Sequence, residues 1–400
     1  MEERETTFAP TLTLMALAIS AFAIGSTEFI SVGVMPLIIQ TFGISLSTAG
    51  LTVSIYAGGI VIGAPLLTAV TGRIQRKQLL MLIMGVFIIG NVLTAAAPTF
   101  PILLAGRLVA SFAHGLFMSV ATMIAANVVT PEKRASAIAA MFTGLTVATV
   151  TGVPLGTFIG QHASWRISFL VIAAVGLIGA VANFVLVPSQ LAMPAPIKRG
   201  SIMRLMKTPV VLVAMIATAL GYGSSFPVYT YLTAILGKQG FSTTVIVFIL
   251  VAYGLAVALG NVMGGHFANI KPLRALTVMF TLNIVLMLAM LIWMMNQGIG
   301  LILVVVLGVL AYINVPGLQL YTMQAAEKLA PDDVQMASAL NISAFNIGIM
   351  FGSTSGGWIV DSLGLQWTPI ASLIMSALAL ISVLWLARKE NNLKSRDKPD

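Results

Sequence analysis

The chain has 400 residues, of which 58% are hydrophobic and only 8% charged, against about 25% charged in a typical soluble protein. With a mean hydropathy of +1.01 it exposes too much apolar surface for a water-soluble domain, so a soluble enzyme is excluded, and the net charge of +9 points to basic loops beside a membrane rather than to nucleic acid. Cysteine is absent and the histidines are only His114, His162 and His266, so disulfides, thiolate chemistry and a clustered zinc site are excluded, and neither cofactor nor metal is expected.

A membrane span needs about 20 mostly apolar residues. Twelve such runs are predicted near residues 11–39, 47–71, 78–97, 102–129, 136–160, 167–187, 209–236, 242–268, 275–295, 299–325, 336–361 and 368–387. The first is too long for the apolar core of a cleavable signal. Between the sixth and seventh, residues 188–208 carry Pro188, Pro194, Pro196, Lys198, Arg199, Arg204 and Lys207. The predicted architecture is an all-α polytopic membrane protein with two pseudo-symmetric six-helix bundles. They occupy residues 1–187 and 209–388, joined by the linker 188–208 and followed by a tail at 389–400.

All basic residues except Arg107, Arg166 and Lys238 fall in the termini, the linker or alternate loops. The positive-inside rule therefore places both termini in the cytoplasm. The halves also repeat. Tyr56, Gly63 and Lys77 match Tyr253, Gly260 and Arg274 at an offset of 197, and Pro131, Gly152, Gly156 and Ile159 match Pro331, Gly352, Gly356 and Ile359 at an offset of 200. Parallel six-span repeats suit an alternating-access transporter with its substrate site between the halves.

Eleven of the 12 acidic residues lie in the termini, in loops or, as Asp361, at a span end. Glu28 alone lies deep in a span. An intramembrane ionisable group costs several kcal/mol and marks a functional site by default. Burial and a neighbouring cation act on a carboxyl in opposite senses, so a site whose surroundings change between two conformations can bind and release a proton. The competing reading is a structural ion pair that never titrates. Glu28 shares a face with Ser31 and Met35, a stripe suited to a cavity wall.

Arg107, roughly 8 Å deep in span 4 at 1.5 Å per residue, is the expected partner of Glu28. Ser111 and His114 follow on its face, and His114 has the side chain best suited to relaying a proton. A helix-linking arginine and a core histidine are the plainer readings. Span 5 carries Gly152, Pro154 and Gly156. This spacing favours close helix packing, and Pro154 is expected to kink the span.

Spans 7, 10 and 11 supply Tyr229, Tyr231, Asn314, Gln319, Asn341, Phe345 and Asn346 as candidate substrate contacts. Spacings of seven place Tyr312 with Gln319, and Asn314 with Tyr321, on two opposed faces of span 10. Uncharged hydrogen-bonding groups beside aromatic rings suit a neutral or weakly cationic amphipathic solute.

These residues resemble the major facilitator superfamily, and within it the twelve-span drug:proton antiporters of the sugar-, purine- and chloramphenicol-efflux branch. Thr27-Glu28-Phe29, the span-4 Arg107, His114-Gly115, Gly152-Val153-Pro154-Leu155-Gly156, Trp165-Arg166 with Phe169, Tyr229-Thr230-Tyr231 and the run Asn341 to Gly348 carry the resemblance. Gly63 with Arg73, Arg76 and Lys77 resembles the basic gating loop between spans 2 and 3, except that Gly72 stands where an aspartate is usual and Gln75 where a glycine is usual. The resemblance implies the major facilitator fold. It also implies a proton-coupled exporter in a bacterial inner membrane, with protons, lipid and a small molecule as partners, no nucleic acid, and a monomeric state. A uniporter for a sugar or nucleoside is the competing transporter reading. A membrane enzyme or receptor is the reading from another class, and the sequence offers neither an intramembrane His/Asp/Glu cluster for catalysis nor a large extramembrane domain for sensing.

Overall fold

The structure is a computed structural model that describes residues 9–71, 74–130, 133–189, 191 and 200–396. Among these, twelve helical segments are long and apolar enough to cross a membrane. They are numbered as spans 1 to 12: Pro10–Phe42, Leu46–Ala64, Arg76–Ala96, Phe100–Asn127, Ala140–His162, Trp165–Leu186, Pro209–Lys238, Thr243–Ala268, Pro272–Trp293, Gln297–Leu329, Met336–Ser362 and Leu365–Asn391. Each corresponds to one predicted apolar run. The last differs at its end: its helix runs Pro369–Arg396, through most of the segment expected to be a tail. No proline or glycine follows Pro369 before residue 396, and Leu, Lys, Arg and Glu sustain the helix.

Proline acts differently from span to span. Span 7 is divided into Pro209–Gly223, Phe226–Tyr229 and Leu232–Lys238, and span 10 into Gln297–Ile313 and Val315–Leu329. Pro227 and Pro316 lack the N–H that an unbroken helix would direct four residues back, and a break lies just before each. The two opposed faces expected on span 10 presumed one continuous helix, so they cross this break. Pro154 and Pro36 lie inside unbroken helices, Arg134–His162 and Ala9–Phe42.

The chain forms two compact units, residues 1–45 with 51–196, and 46–50 with 197–400. Each has the same internal packing. In the first, a Cβ at Gly152 would stand 3.1 Å from Ser26 Cα, and one at Gly156 would meet Ile30. In the second, a Cβ at Gly352 would stand 2.9 Å from Phe226 Cβ, and one at Gly356 2.8 Å from Pro227 Cα. Span 5 thus lies on span 1 as span 11 lies on span 7, through glycines that let the backbones approach. Gly63 packs on Phe112, and Gly260 on Val309, so spans 2 and 4 repeat as spans 8 and 10.

Candidate functional site

The glycine face of span 5 fixes the part of span 1 that carries the acid. Gly152 and Gly156 touch Ser26 and Ile30, which bracket Glu28. On the same stretch the Thr27 hydroxyl donates to Asn91 Oδ1 at 3.1 Å, and Asn91 Nδ2 donates to the Phe87 carbonyl at 2.9 Å, tying span 1 to span 3.

Arg107 is fully buried. A buried guanidinium must place five N–H donors, and main-chain carbonyls are the acceptors at hand. Nη1 donates to the Thr27 carbonyl at 2.6 Å, Nη2 to the Glu28 carbonyl at 3.3 Å, and Nε to the Thr52 carbonyl at 3.2 Å. The guanidinium carbon lies 4.1 Å from the Tyr56 ring centroid and 5.9 Å from that of Phe169. One side chain thereby joins spans 1, 2, 4 and 6. The expected Glu28–Arg107 contact exists, but it runs through the main chain of Glu28. Among the described residues no hydrogen bond or ion pair reaches the Glu28 carboxylate, which is half-buried. It remains within electrostatic range of Arg107.

His114 is buried, and its Nδ1 lies 3.1 Å from the Tyr56 hydroxyl. Ser111 donates to the Leu108 carbonyl of its own helix at 2.7 Å and packs against Gly59. Ser31 and Met35 are fully buried, and the Ser31 hydroxyl has no partner among the described residues. The stripe read as a cavity wall is therefore largely interior, with Glu28 its partly exposed member.

In the second unit the aromatic residues converge. Tyr222 donates to the Tyr312 hydroxyl at 2.8 Å. Its ring meets Phe345 edge-on at 5.1 Å and Phe226 at 5.3 Å, and Tyr229 stacks on Tyr253 at 5.2 Å. The amides divide into two kinds. Asn341 donates to Gln319 Oε1 at 2.7 Å, Gln319 donates to Ser338 at 2.9 Å, and Thr322 donates to Asn341 Oδ1 at 3.2 Å, a closed clamp between spans 10 and 11. Asn314 and Asn346 donate to the Leu310 and Ile342 carbonyls of their own helices, leaving buried Oδ1 atoms without a donor. Tyr231 is fully buried and donates to the Ser353 carbonyl at 3.1 Å, so it ties span 7 to span 11.

Of the gating residues, Gly63 brings span 2 against span 4, and Lys77 lies over the Phe184 ring at 5.4 Å. Arg76 is buried, and among the described residues its Nε and Nη2 find no hydrogen-bond partner. Arg73 lies outside the described residues. Arg166 donates to the carbonyls of Ala95 and Ala97 at 2.8 and 2.7 Å, closing the end of span 3.

Sequence reasoning missed Tyr56, Thr52 and Asn91 as members of the Arg107 group. Tyr56 carried a signal, since it recurs as Tyr253 in the repeat. Main-chain acceptors such as the Thr27 and Thr52 carbonyls carry none, because every residue has one.

A family model described as the Major Facilitator Superfamily matches residues 17–330 and 323–400. An uncharacterized MFS-type transporter, YtbD of Bacillus subtilis (strain 168), is 48% identical over 373 residues, covering 93% of this chain and 94% of that protein. A probable sugar efflux transporter of Helicobacter pylori (strain P12) is 26% identical, covering 93% of this chain and 94% of that protein. The solved structure of a bacterial homolog to the human lysosomal transporter Spinster, in an inward-facing and occupied conformation, superposes with a TM-score of 0.77 at 17% identity. The match covers 96% of this chain and 97% of that one.

Proposed function

Because the chain belongs to the major facilitator superfamily of membrane transporters, we propose that it is a proton-coupled exporter of a small neutral or weakly cationic amphipathic solute. It is a multi-pass protein of the bacterial inner membrane with both termini in the cytoplasm. One observation carries the coupling. Glu28, the one acid deep within a span, presents a half-buried carboxylate that no group among the described residues hydrogen-bonds. A carboxylate kept for a structural ion pair would be held by its cation. Here Arg107 is spent on main-chain carbonyls, which leaves the Glu28 carboxylate for a proton or a substrate.

The cycle follows from this. Open to the outside, Glu28 takes up a proton and the solute leaves. Open to the inside, the proton leaves and solute binds. Antiport needs the two ligands to favour different protonation states of one shared site. With a single deep acid, the proton count per turnover is low. The aromatic residues around Tyr222, and the buried, donor-less Asn346 oxygen next to Phe345, suit a solute with a flat apolar face and N–H or O–H donors. The efflux direction rests on the span-5 glycine–proline pattern and on the similarity to a probable sugar efflux transporter.

The rival transporter reading is an uncoupled uniporter. Adding a stabilising solute to unbuffered, detergent-solubilised protein separates the two. The coupled exporter releases protons into the medium, and this release is lost in Glu28→Gln. A solute that binds without any proton release would overturn the coupling.

A further inference from the structure

We infer that Tyr56 is the positioning residue through which the state of the Glu28–Arg107 group reaches His114. This deepens the coupling reading above and rests on it. Tyr56 sits in span 2 and is almost wholly buried. Its ring face carries the Arg107 guanidinium at 4.1 Å, and its hydroxyl lies 3.1 Å from His114 Nδ1. Arg107 and His114 share a helix but lie about 10 Å apart along its axis, seven residues at 1.5 Å each, and the Arg107 hydrogen bonds go to the Thr52, Thr27 and Glu28 carbonyls.

The chain of contacts is therefore fixed. Arg107 holds the carbonyls of Thr27 and Glu28, so a shift of that turn when Glu28 gains a proton displaces the guanidinium. A cation over a ring is held by the ring face, and the displaced guanidinium moves or releases the Tyr56 ring. The Tyr56 hydroxyl then changes its bond to His114. Either atom of that bond donates, according to the histidine tautomer. Away from the span ends, the titratable groups of the first unit are Glu28 on span 1, Tyr56 on span 2, and Arg107 and His114 on span 4.

The repeat supplies an internal control. Gly63 packs on Phe112 as Gly260 packs on Val309, and Gly59 on Ser111 as Ala256 on Gly308. In that register Arg107 and His114 correspond to Val304 and Ala311, and Tyr56 to Tyr253. Tyr253 stacks on the Tyr229 ring at an interplanar angle of 14°. The fold thus packs a tyrosine here without any cation or imidazole. The Arg107–Tyr56–His114 arrangement belongs to the first unit and is not a requirement of the packing.

Three histidines make the test direct. Full-length protein with 15N-labelled imidazoles gives three pairs of ring resonances, assigned with His162→Gln and His266→Gln. Glu28→Gln, which mimics the protonated acid, shifts the His114 resonances. In Tyr56→Phe, which keeps the ring under the guanidinium and removes the hydroxyl, the same Glu28→Gln change leaves His114 where it is. Unmoved His162 and His266 signals verify the fold in every variant. The inference is overturned if Glu28→Gln leaves His114 unmoved in otherwise native protein, a comparison that needs no tyrosine variant. It is equally overturned if the shift persists in full with Tyr56→Phe. Proton-driven transport lost in Glu28→Gln while His114 stays unmoved would keep the export reading and remove this role of Tyr56.

Discussion

Arg107 Nη2 reaches Glu28 at its main-chain carbonyl, 3.3 Å away, and not at its carboxylate. The two residues are held together whatever the charge on the acid. That separates a structural duty, carried by the backbone, from a chemical one left to the side chain.

The separation is measurable as stability. Glu28→Gln keeps all three Arg107 bonds and is expected to move the melting temperature in detergent by less than about 2 °C, under ~1 kcal/mol. A buried ion pair broken at one partner would instead cost about 3–5 kcal/mol. Arg107→Lys keeps the charge but replaces a planar five-donor fork with a point. It is expected to lower the melting temperature, at about 1.5–3 kcal/mol for each bond lost. A Glu28→Gln variant as unstable as Arg107→Lys would contradict this account.

Close packing of spans 1 and 5 makes a second contrast. A Cβ at Gly144 runs into the Ala18 carbonyl, whereas one at Gly85 meets nothing within 4 Å. Gly144→Ala is therefore expected to destabilise by about 1–3 kcal/mol, since backbone cannot swing aside. Gly85→Ala is expected to be neutral or to stabilise, by up to about 1 kcal/mol of helix propensity. Thermal melts of the two variants check the sign of each.

The amides of the second unit should part company on mutation. Asn341→Leu breaks the clamp and strands Gln319 and Thr322, so the melting temperature falls. Asn346→Leu removes a buried oxygen that has no donor, so stability holds or rises. Its ligand profile changes instead, read as altered thermal stabilisation across a panel of sugars, nucleosides and lipophilic antibiotics.

Asp333, between spans 10 and 11, is buried and accepts from two residues at the start of the second unit: Arg204 Nε at 2.8 Å, Arg204 Nη2 at 2.7 Å and Ser201 at 2.6 Å. The hydrogen bond to Asp333 raises the Arg204 guanidinium above its ordinary value, so this group keeps its charge through the neutral range. Asp333→Asn removes the charged acceptor. Amide hydrogen exchange across residues 200–208 is expected to quicken while spans 8 to 10 keep their protection. Unchanged exchange there would show that the short helix Ser201–Met206 is held by other contacts.

The spans were legible because apolar runs of membrane length leave little choice of structure in lipid. Their breaks at Pro227 and Pro316 were not, since Pro36 and Pro154 lie in helices that continue. Glu28 and Arg107 stood out because charge is rare at that depth. The direction of their contact did not, because the acceptors are carbonyls and carry no residue type. Ser31, Met35, Asn341 and Tyr231 looked like cavity residues by chemistry, yet the fold buries them. A polar side chain on a helix face reads the same whether a ligand or a neighbouring helix satisfies it.

The central claim is that Glu28 carries the proton that drives export. Proteoliposomes with an imposed pH gradient test it, using the panel compound that stabilises the purified protein most. The native protein is expected to move that compound against its gradient and also to exchange it without a pH difference. Glu28→Gln is expected to lose the gradient-driven transport and keep the exchange. Gradient-driven transport at the native rate in Glu28→Gln would contradict the account.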